Sequence, residues 1–311
     1  MGITVVNLNP CLDWSWHINA FTYGGMNRVQ HTRQDAAGKG INVAIALNNL
    51  GLSPICKGFN YLENGKQITT KLDALGVNYD FVWVEGAVRI NIKLYDETGT
   101  MTEINQSGNA VNTTDINALV EKINQTNAPN DLLILSGSRP AGVDVYFYAQ
   151  LCKTWQGRVI LDTEGEALLN AIETAPPYCI KPNLFELEST FGVTLSTHKD
   201  IIEFARTLIA KGIQIICCSL GAEGALIITQ KEAFFAPALP LDVKAVQGAG
   251  DAMVAGLVYA MEKETDPTPD KLLRCAVAAA SASVVREGTQ MCDGVGFGEM
   301  LERVIPSPRM V

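Results

Sequence analysis

Val246-Gln247-Gly248-Ala249-Gly250-Asp251-Ala252-Met253-Val254-Ala255-Gly256 is the stretch on which the reading of this chain turns. Two glycines lead into an aspartate, and a run of small apolar residues suited to a buried helix follows. Gly248 and Gly250 let the backbone turn tightly and bring its N–H groups close to a ligand. A helix beginning at about Asp251 directs its positive dipole end and its free N–H groups into the same space. That is an anion site, suited to the charge on a phosphoryl group in transfer. Asp251 itself has two readings there: a helix N-cap, or a general base that takes a proton from a substrate hydroxyl while the amides hold the phosphoryl oxygens.

The rest of the chain supplies a setting for such a site. Residues 3–8 form a short apolar strand that ends in Asn9-Pro10-Cys11-Leu12-Asp13. Asp13 lies just past a strand end, where open α/β sheets place ligand contacts; it also reads as a turn residue after Pro10. Ala36-Ala37-Gly38-Lys39-Gly40-Ile41-Asn42-Val43-Ala44 leads into a helix that runs to Gly51, a C′ glycine. Its glycine spacing is not that of a Walker A loop. A lysine between two glycines at a helix start is placed either to meet an anion or to sit solvated on a flexible turn.

From residue 107 the pattern is regular α/β. The strands expected at 132–135, 159–161, 178–180 and 213–218 are continuously apolar, as in a parallel sheet covered on both faces. Chemistry-bearing residues collect at their carboxyl ends: Ser136-Gly137-Ser138-Arg139-Pro140, Asp162-Thr163-Glu164, Lys181-Pro182-Asn183-Leu184-Phe185-Glu186 and Ser219-Leu220-Gly221-Ala222-Glu223-Gly224. Each set has a local explanation as a turn or a cap, but their gathering on one sheet edge marks an active site. Residues 225–228 and 233–235 read as antiparallel edge strands, and helices at about 251–262 and 270–286 close the core.

Two stretches break the pattern. Residues 12–34 contain an alternating piece, a Gly24-Gly25 turn and a polar strand-like piece. In 88–105, Arg89, Asn91 and Lys93 alternate with Ile90, Ile92 and Leu94, which puts the polar three on one strand face. The two stretches are suited to pair as one small sheet over the site. Ile90, Ile92 and Leu94 then point away from the site and need cover, so a homodimer through this sheet is expected.

Composition narrows the function. The 311 residues are 47 % hydrophobic and 18 % charged, with a net charge of −9, which argues against a nucleic-acid or anionic-membrane surface. No apolar run approaches the roughly 18 residues that span a bilayer, and the first residues lack a basic n-region. The eight cysteines form no C-x-x-C pair and read as reduced, buried thiols of a cytoplasmic protein. The three histidines show no metal-ligand spacing. No G-x-G-x-x-G follows the first strand, which disfavours a nicotinamide dehydrogenase; Gly294-Val295-Gly296-Phe297-Gly298 reads as a loop.

Taken together, Asn9 to Asp13, Ala37 to Ala44, Arg89 to Lys93, Ser136 to Ser138, Lys181 to Leu187, Ser219 to Ala225 and Gly248 to Asp251 resemble, in order and over nearly the whole chain, the ribokinase/PfkB family of sugar kinases. The resemblance implies a single Rossmann-like α/β domain, residues 1–311, its mostly parallel sheet covered by helices on both faces, with a small β-sheet lid from 12–35 and 88–106. It implies transfer of the ATP γ-phosphoryl group, with Mg²⁺, to a sugar phosphate. Fructose 1-phosphate is the expected acceptor, giving fructose 1,6-bisphosphate; tagatose 6-phosphate is the alternative, and a non-catalytic sugar-phosphate sensor is a third reading. By the same resemblance Asp251 is the catalytic base and Gly248, Ala249 and Gly250 are the anion hole. Asp13, Gly38, Lys39, Asn42 and Asn91 hold the sugar, Arg89 and Lys39 its phosphate, with Ser138 close by. Lys181, Asn183, Ser219, Gly221, Ala222, Glu223, Gly224 and Gly250 face the nucleotide, and Asn183 and Glu186 order Mg²⁺ through water. Arg139, Val246 and Ala252 depart from the family pattern, which has an apolar residue, Thr and Ser there.

Overall fold

Short apolar runs become strands where both faces are covered, and the computed structural model, which describes residues 2–264 and 267–309, gathers them into two sheets. In chain order the strands are β1 (Ile3–Asn7), β2 (Cys11–His17), β3 (His31–Ala37), β4 (Ile55–Tyr61), β5 (Asn78–Val84), β6 (Arg89–Tyr95) and β7 (Met101–Asn105). They continue as β8 (Leu132–Ser136), β9 (Arg158–Asp162), β10 (Cys179–Ile180), β11 (Ile215–Ser219), β12 (Gly224–Ile228), β13 (Ala233–Pro237) and β14 (Ser307–Pro308). The large sheet is ten-stranded, in the order β14-β13-β12-β11-β10-β9-β8-β1-β4-β5. From β5 to β11 neighbours are parallel; β12, β13 and β14 add antiparallel pairs at one edge. Every residue of β1 and β8 is buried, as the uninterrupted apolar sequence requires of strands with helices on both sides.

The strand order changes direction between β1 and β8, where chain on one side runs to β4 and on the other to β9. The strand ends at this switch point form the floor of the site. Two helices cover it, Lys39–Asn49 and Ala249–Lys263. The second packs tightly on Pro269–Val284 because Gly256 has no side chain: a Cβ there would stand 2.3 Å from the Cys275 carbonyl oxygen.

The second sheet has the order β3-β2-β6-β7, with β2 and β6 parallel and the outer pairs antiparallel. Its register sets Asp13 opposite Asn91 and Ser15 opposite Lys93 on the inner face. Trp14, Trp16, Ile92 and Ile104 fall on the outer face. Leu94 is already buried within the chain, so the uncovered part of that face is smaller than its alternating sequence suggests. Both edge strands reach the large domain. Gln247 Nε2 lies 3.0 Å from Met101 Sδ of β7, and Arg33 of β3, paired with Asp35 at 2.8 Å, lies 3.6 Å from Glu287.

Some local structure differs from the sequence reading. Gly294–Arg303 is a helix rather than a loop. Asp293 caps it, accepting from the Gly296 N–H at 2.8 Å, and Phe297 and Met300 bury its inner face, which outweighs its glycines. Thr113–Asn124 and Leu184–Phe191 are further helices that the sequence reading passed over. Each is opened by a reciprocal capping box, Asn112 with Asp115 and Asn183 with Glu186.

Candidate functional site

The helix Ala249–Lys263 starts two residues earlier than its sequence suggests, which removes the N-cap reading of Asp251. Gly248 is the N-cap, in the left-handed region at φ 77°, a conformation that a side chain disfavours; a Cβ there would also meet the Met291 methyl at 2.3 Å. Asp251 therefore lies inside the first turn and caps nothing. Its carboxylate is buried and accepts a hydrogen bond from Asn42 Nδ2 at 2.8 Å. Burial, and after it the charge of Asp162, push its pKa up to about 6, against the pull of Lys39, Asn42 and Lys181. A carboxylate of that pKa is ionised at neutral pH and basic enough to take a proton.

Beneath the helix start lies a charged hub. Asp162, at the end of β9, is 3.2 Å from Lys181 Nζ and 3.7 Å from Lys39 Nζ, and accepts from Ser136 Oγ at 2.9 Å. Burial works to raise the Asp162 pKa, but the two ammonium groups override it and hold the carboxyl below the usual range. Lys39 is held above the usual lysine range, by Asp162 first and then by Glu186 at 3.3 Å and by Asp251. Burial opposes the Lys181 charge, yet Asp162 keeps this lysine raised as well. A Cβ on Gly250 would stand 3.2 Å from Lys181 Nζ, so this ammonium lies directly under the anion hole.

The loop before Lys39–Asn49 is shaped from below by Asn7. Its Oδ1 accepts from the Gly40 N–H at 3.1 Å, and a Cβ on Gly38, whose φ is 134°, would stand 2.7 Å from the same oxygen. The second sheet stands over the same space. Asp13 is buried in the inner lid face, with Lys93 Nζ at 2.6 Å and Asn91 Nδ2 at 3.1 Å. Lys93 thus has a partner within the lid and is not a free cation for substrate. Arg89 donates to Asn91 Oδ1 at 3.2 Å and to the carbonyls of Gln106 and Asn9 at 3.2 and 3.4 Å.

Two adjoining cavities meet here. One, of about 990 Å³, is lined by Asp13, Gly38, Lys39, Asn42, Arg89, Asn91, Lys181, Asn183, Glu186, Ser219, the Gly221–Glu223 turn with Gly224, and Gly248 to Asp251. The other, of about 690 Å³, shares Lys39, Arg89 and Asn91 and adds Ser138, Arg139, Asn9 and Thr163. All the residues singled out in the sequence as site residues reach these two spaces. Lys39 and Arg89 line both, and the Lys39 ammonium stands near Asp162 and Glu186.

The pfkB family model, that of pfkB family carbohydrate kinases, matches residues 2–293. The chain belongs to the PfkB family of carbohydrate kinases. It is 32 % identical to a 1-phosphofructokinase of Bacillus subtilis over 99 % of both chains. To that of Escherichia coli K12 it is 33 % identical over 98 % of both. Among solved structures it is similar to phosphofructokinase-2 of Escherichia coli in complex with substrates and products, with a TM-score of 0.92 and 25 % identity over 97 % of this chain and 99 % of that one.

As a PfkB carbohydrate kinase the chain takes ATP as phosphoryl donor. Asn183 and Glu186 serve first as a capping box: Glu186 N–H donates to Asn183 Oδ1 at 2.7 Å and Asn183 N–H to Glu186 Oε2 at 2.9 Å. Glu186 Oε1 remains turned to the cavity beside Lys39. One carboxylate oxygen fits a hydrated Mg²⁺, which keeps several waters and takes its other ligands from substrate phosphates; among the described residues no cluster of acidic, histidine and cysteine side chains makes a fuller cage. Asp162 and Lys93 are the charged residues whose partners the sequence reading did not give. Asp162 stood out only as a strand-end acid. Its central place between two lysines depends on pairings 123 and 19 residues apart, 162 − 39 and 181 − 162, which no local spacing signals.

Proposed function

We propose that this chain phosphorylates fructose 1-phosphate to fructose 1,6-bisphosphate with ATP. The observation that carries the reading is Asp251: a buried carboxylate with a raised pKa, held by Asn42 in the first turn of a glycine-capped helix, in one cavity with Asp13 and Arg89. Asp251 takes the proton of the acceptor hydroxyl. The freed oxygen attacks the γ-phosphorus as the bond to the ADP oxygen breaks, and the first-turn amides with Lys39 receive the charge on the phosphoryl oxygens. Asp13 and Asn42 orient the sugar hydroxyls, Arg89 with Ser138 takes the phosphate already on the sugar, and Ser219 to Gly224 bound the nucleotide. Glu186 and Asn183 would hold Mg²⁺ through water, and the ion would supply positive charge to the nucleotide phosphates.

Residues 12–35 and 88–106 act in this reading as one lid on a single kinase domain. The uncovered Trp16, Ile92 and Ile104, together with the exposed Tyr23 and Met26, are joined to their equals in a homodimer. The eight free cysteines, with thiols such as Cys217 pushed up to about 12 by burial, favour a reducing, cytoplasmic setting, and no described helix is long and apolar enough to cross a membrane.

An ADP-coupled assay with fructose 1-phosphate, tagatose 6-phosphate and fructose 6-phosphate tests the reading. The highest kcat/KM is expected on fructose 1-phosphate. A preference for tagatose 6-phosphate transfers the assignment to that sugar, and binding without turnover on any of them makes the chain a sensor. Arg89→Ala is expected to cost one to two decades in kcat/KM on the sugar phosphate, since a charged hydrogen bond is worth about 1.5–3 kcal/mol, and to leave KM for ATP unchanged.

A further inference from the structure

The charge inventory of the smaller cavity singles out Arg139. In a protein of net charge −9, Arg33 pairs with Asp35 and Arg286 with Asp293, and Arg274 and Arg303, which bond carbonyls, line neither cavity. Arg89 and Arg139 differ. Among the described residues neither makes an ion pair; their hydrogen bonds go to carbonyls and to Asn91. Both line the 690 Å³ cavity together with Lys39 and Ser138. Two guanidiniums that no carboxylate bonds directly keep donors free for an anion that enters this cavity.

Arg139 is also fixed in place. Its Nη1 donates to the Val143 carbonyl at 2.6 Å, which anchors one arm of the fork and leaves the other donors to the cavity. On the chain side it follows Ser138, whose Oγ accepts from Asn9 Nδ2 at 3.1 Å. Glu103, Glu164 and Glu166 line the same space and make it more hostile to an anion, so a second guanidinium has an effect to offset.

We propose that Arg139 is a second reader of the phosphate already on the sugar, working with Arg89 as a two-guanidinium clamp on a doubly ionised phosphate monoester. The assignment rests on the sugar-phosphate kinase reading above and adds a specificity residue to it. The clamp acts on binding, away from the reacting hydroxyl at Asp251. Its loss therefore appears in KM for the sugar phosphate, while kcat on saturating sugar phosphate and KM for ATP stay in place. Because a monoester passes from one negative charge to two near pH 6, two guanidiniums also make KM steeper with pH than one does.

The test compares Arg139→Leu, Arg139→Gln, Arg139→Lys and Arg89→Ala with the unaltered protein, each checked by thermal melting. Gln keeps a donor for the Val143 carbonyl, so a defect shared by Leu and Gln is not a lost anchor. Steady-state kinetics are read on fructose 1-phosphate and on unphosphorylated fructose between pH 5.5 and 8, with inorganic phosphate as competing anion. The expected result is a rise of about ten- to a hundredfold in KM for fructose 1-phosphate in the Leu and Gln variants. Activity on fructose should be unchanged, inhibition by phosphate weakened, the pH dependence of KM flattened and recovery with Lys partial. Normal KM in the Arg139 variants beside a large loss in Arg89→Ala overturns the clamp and leaves the kinase reading standing. Equal behaviour of every variant on phosphorylated and unphosphorylated sugar overturns both.

Discussion

Replacing Asp251 by asparagine should destroy the catalyst and strengthen the protein. The carboxylate has an ordinary pKa of 3.8 and a folded-state value of about 6, a rise of about two units, and each unit corresponds to about 1.4 kcal/mol. The sign follows from proton linkage. Between pH 3.8 and 6 the native state keeps the proton and the unfolded chain has lost it, so stability falls as pH rises through that window. Above it the ionised, buried Asp251 costs the native state about 3 kcal/mol. The amide in Asp251→Asn never ionises and still offers Asn42 Nδ2 an acceptor, so the variant is free of that cost. At about 2 °C per kcal/mol for a chain of this size, the melting temperature at pH 8 should rise by roughly 5 °C. Loss of the base should lower kcat by about 10²–10⁴-fold. Calorimetry of both proteins at pH 8 and pH 4.5, alongside the coupled assay, reads both effects, and the gap in melting temperature should narrow in acid. A variant no more stable than the parent at pH 8, or a gap indifferent to pH, would refute the burial argument; near-normal turnover would refute the base.

The same titration should appear in kinetics: kcat/KM on the sugar phosphate should rise about tenfold per pH unit below about pH 6 and level off above it, and a flat profile from pH 5 to 8 counts against Asp251 as the titrating group. Lys93→Met leaves Asp13 buried without its cation and should cost about 3–5 kcal/mol in urea unfolding. Asp13→Asn with Lys93→Met together should recover most of that without recovering sugar binding, and equal losses in the single and double variants would sink the pairing argument. If the proposed dimer forms through the outer lid face, the parent should sediment as a dimer at micromolar concentration and Ile92→Glu as a monomer; a monomeric parent, or a variant that still dimerises, refutes that interface.

Period and composition made the large sheet legible. Continuously apolar β8 and β11 can only be strands covered on both faces, and their carboxyl ends carried the chemistry-bearing residues. Alternation of Arg89, Asn91 and Lys93 with isoleucines was enough to give the lid strand and its inward face. The start of the helix at Ala249 was not legible, because a left-handed glycine N-cap leaves no side-chain signature and Asp251 looked like the cap itself. Asn183 with Glu186 and Asn112 with Asp115 were legible as capping boxes and were passed over. The pairing of Lys93 with Asp13 was hidden because it depends on parallel registration of β2 with β6, chain segments joined only through the intervening fold. Asp162 between Lys39 and Lys181 was hidden for the same reason.

The ion pair of Lys93 and Asp13, with Asn91 beside it, lies wholly within the lid. Asp251, Asn42, Asp162 and Lys181 lie wholly outside it. Asp13 therefore keeps its cation when the two halves part, and the ion pair across the seam, Arg33 with Glu287, is exposed rather than buried. Asp13 thus meets a sugar with its counter-charge already built in, while Asn42 and Ser138 meet it from the sheet and helix beneath. A small sheet exchanged for a relative's would carry the cation of its buried aspartate with it and leave the charges beneath undisturbed, so such an exchange should cost little stability.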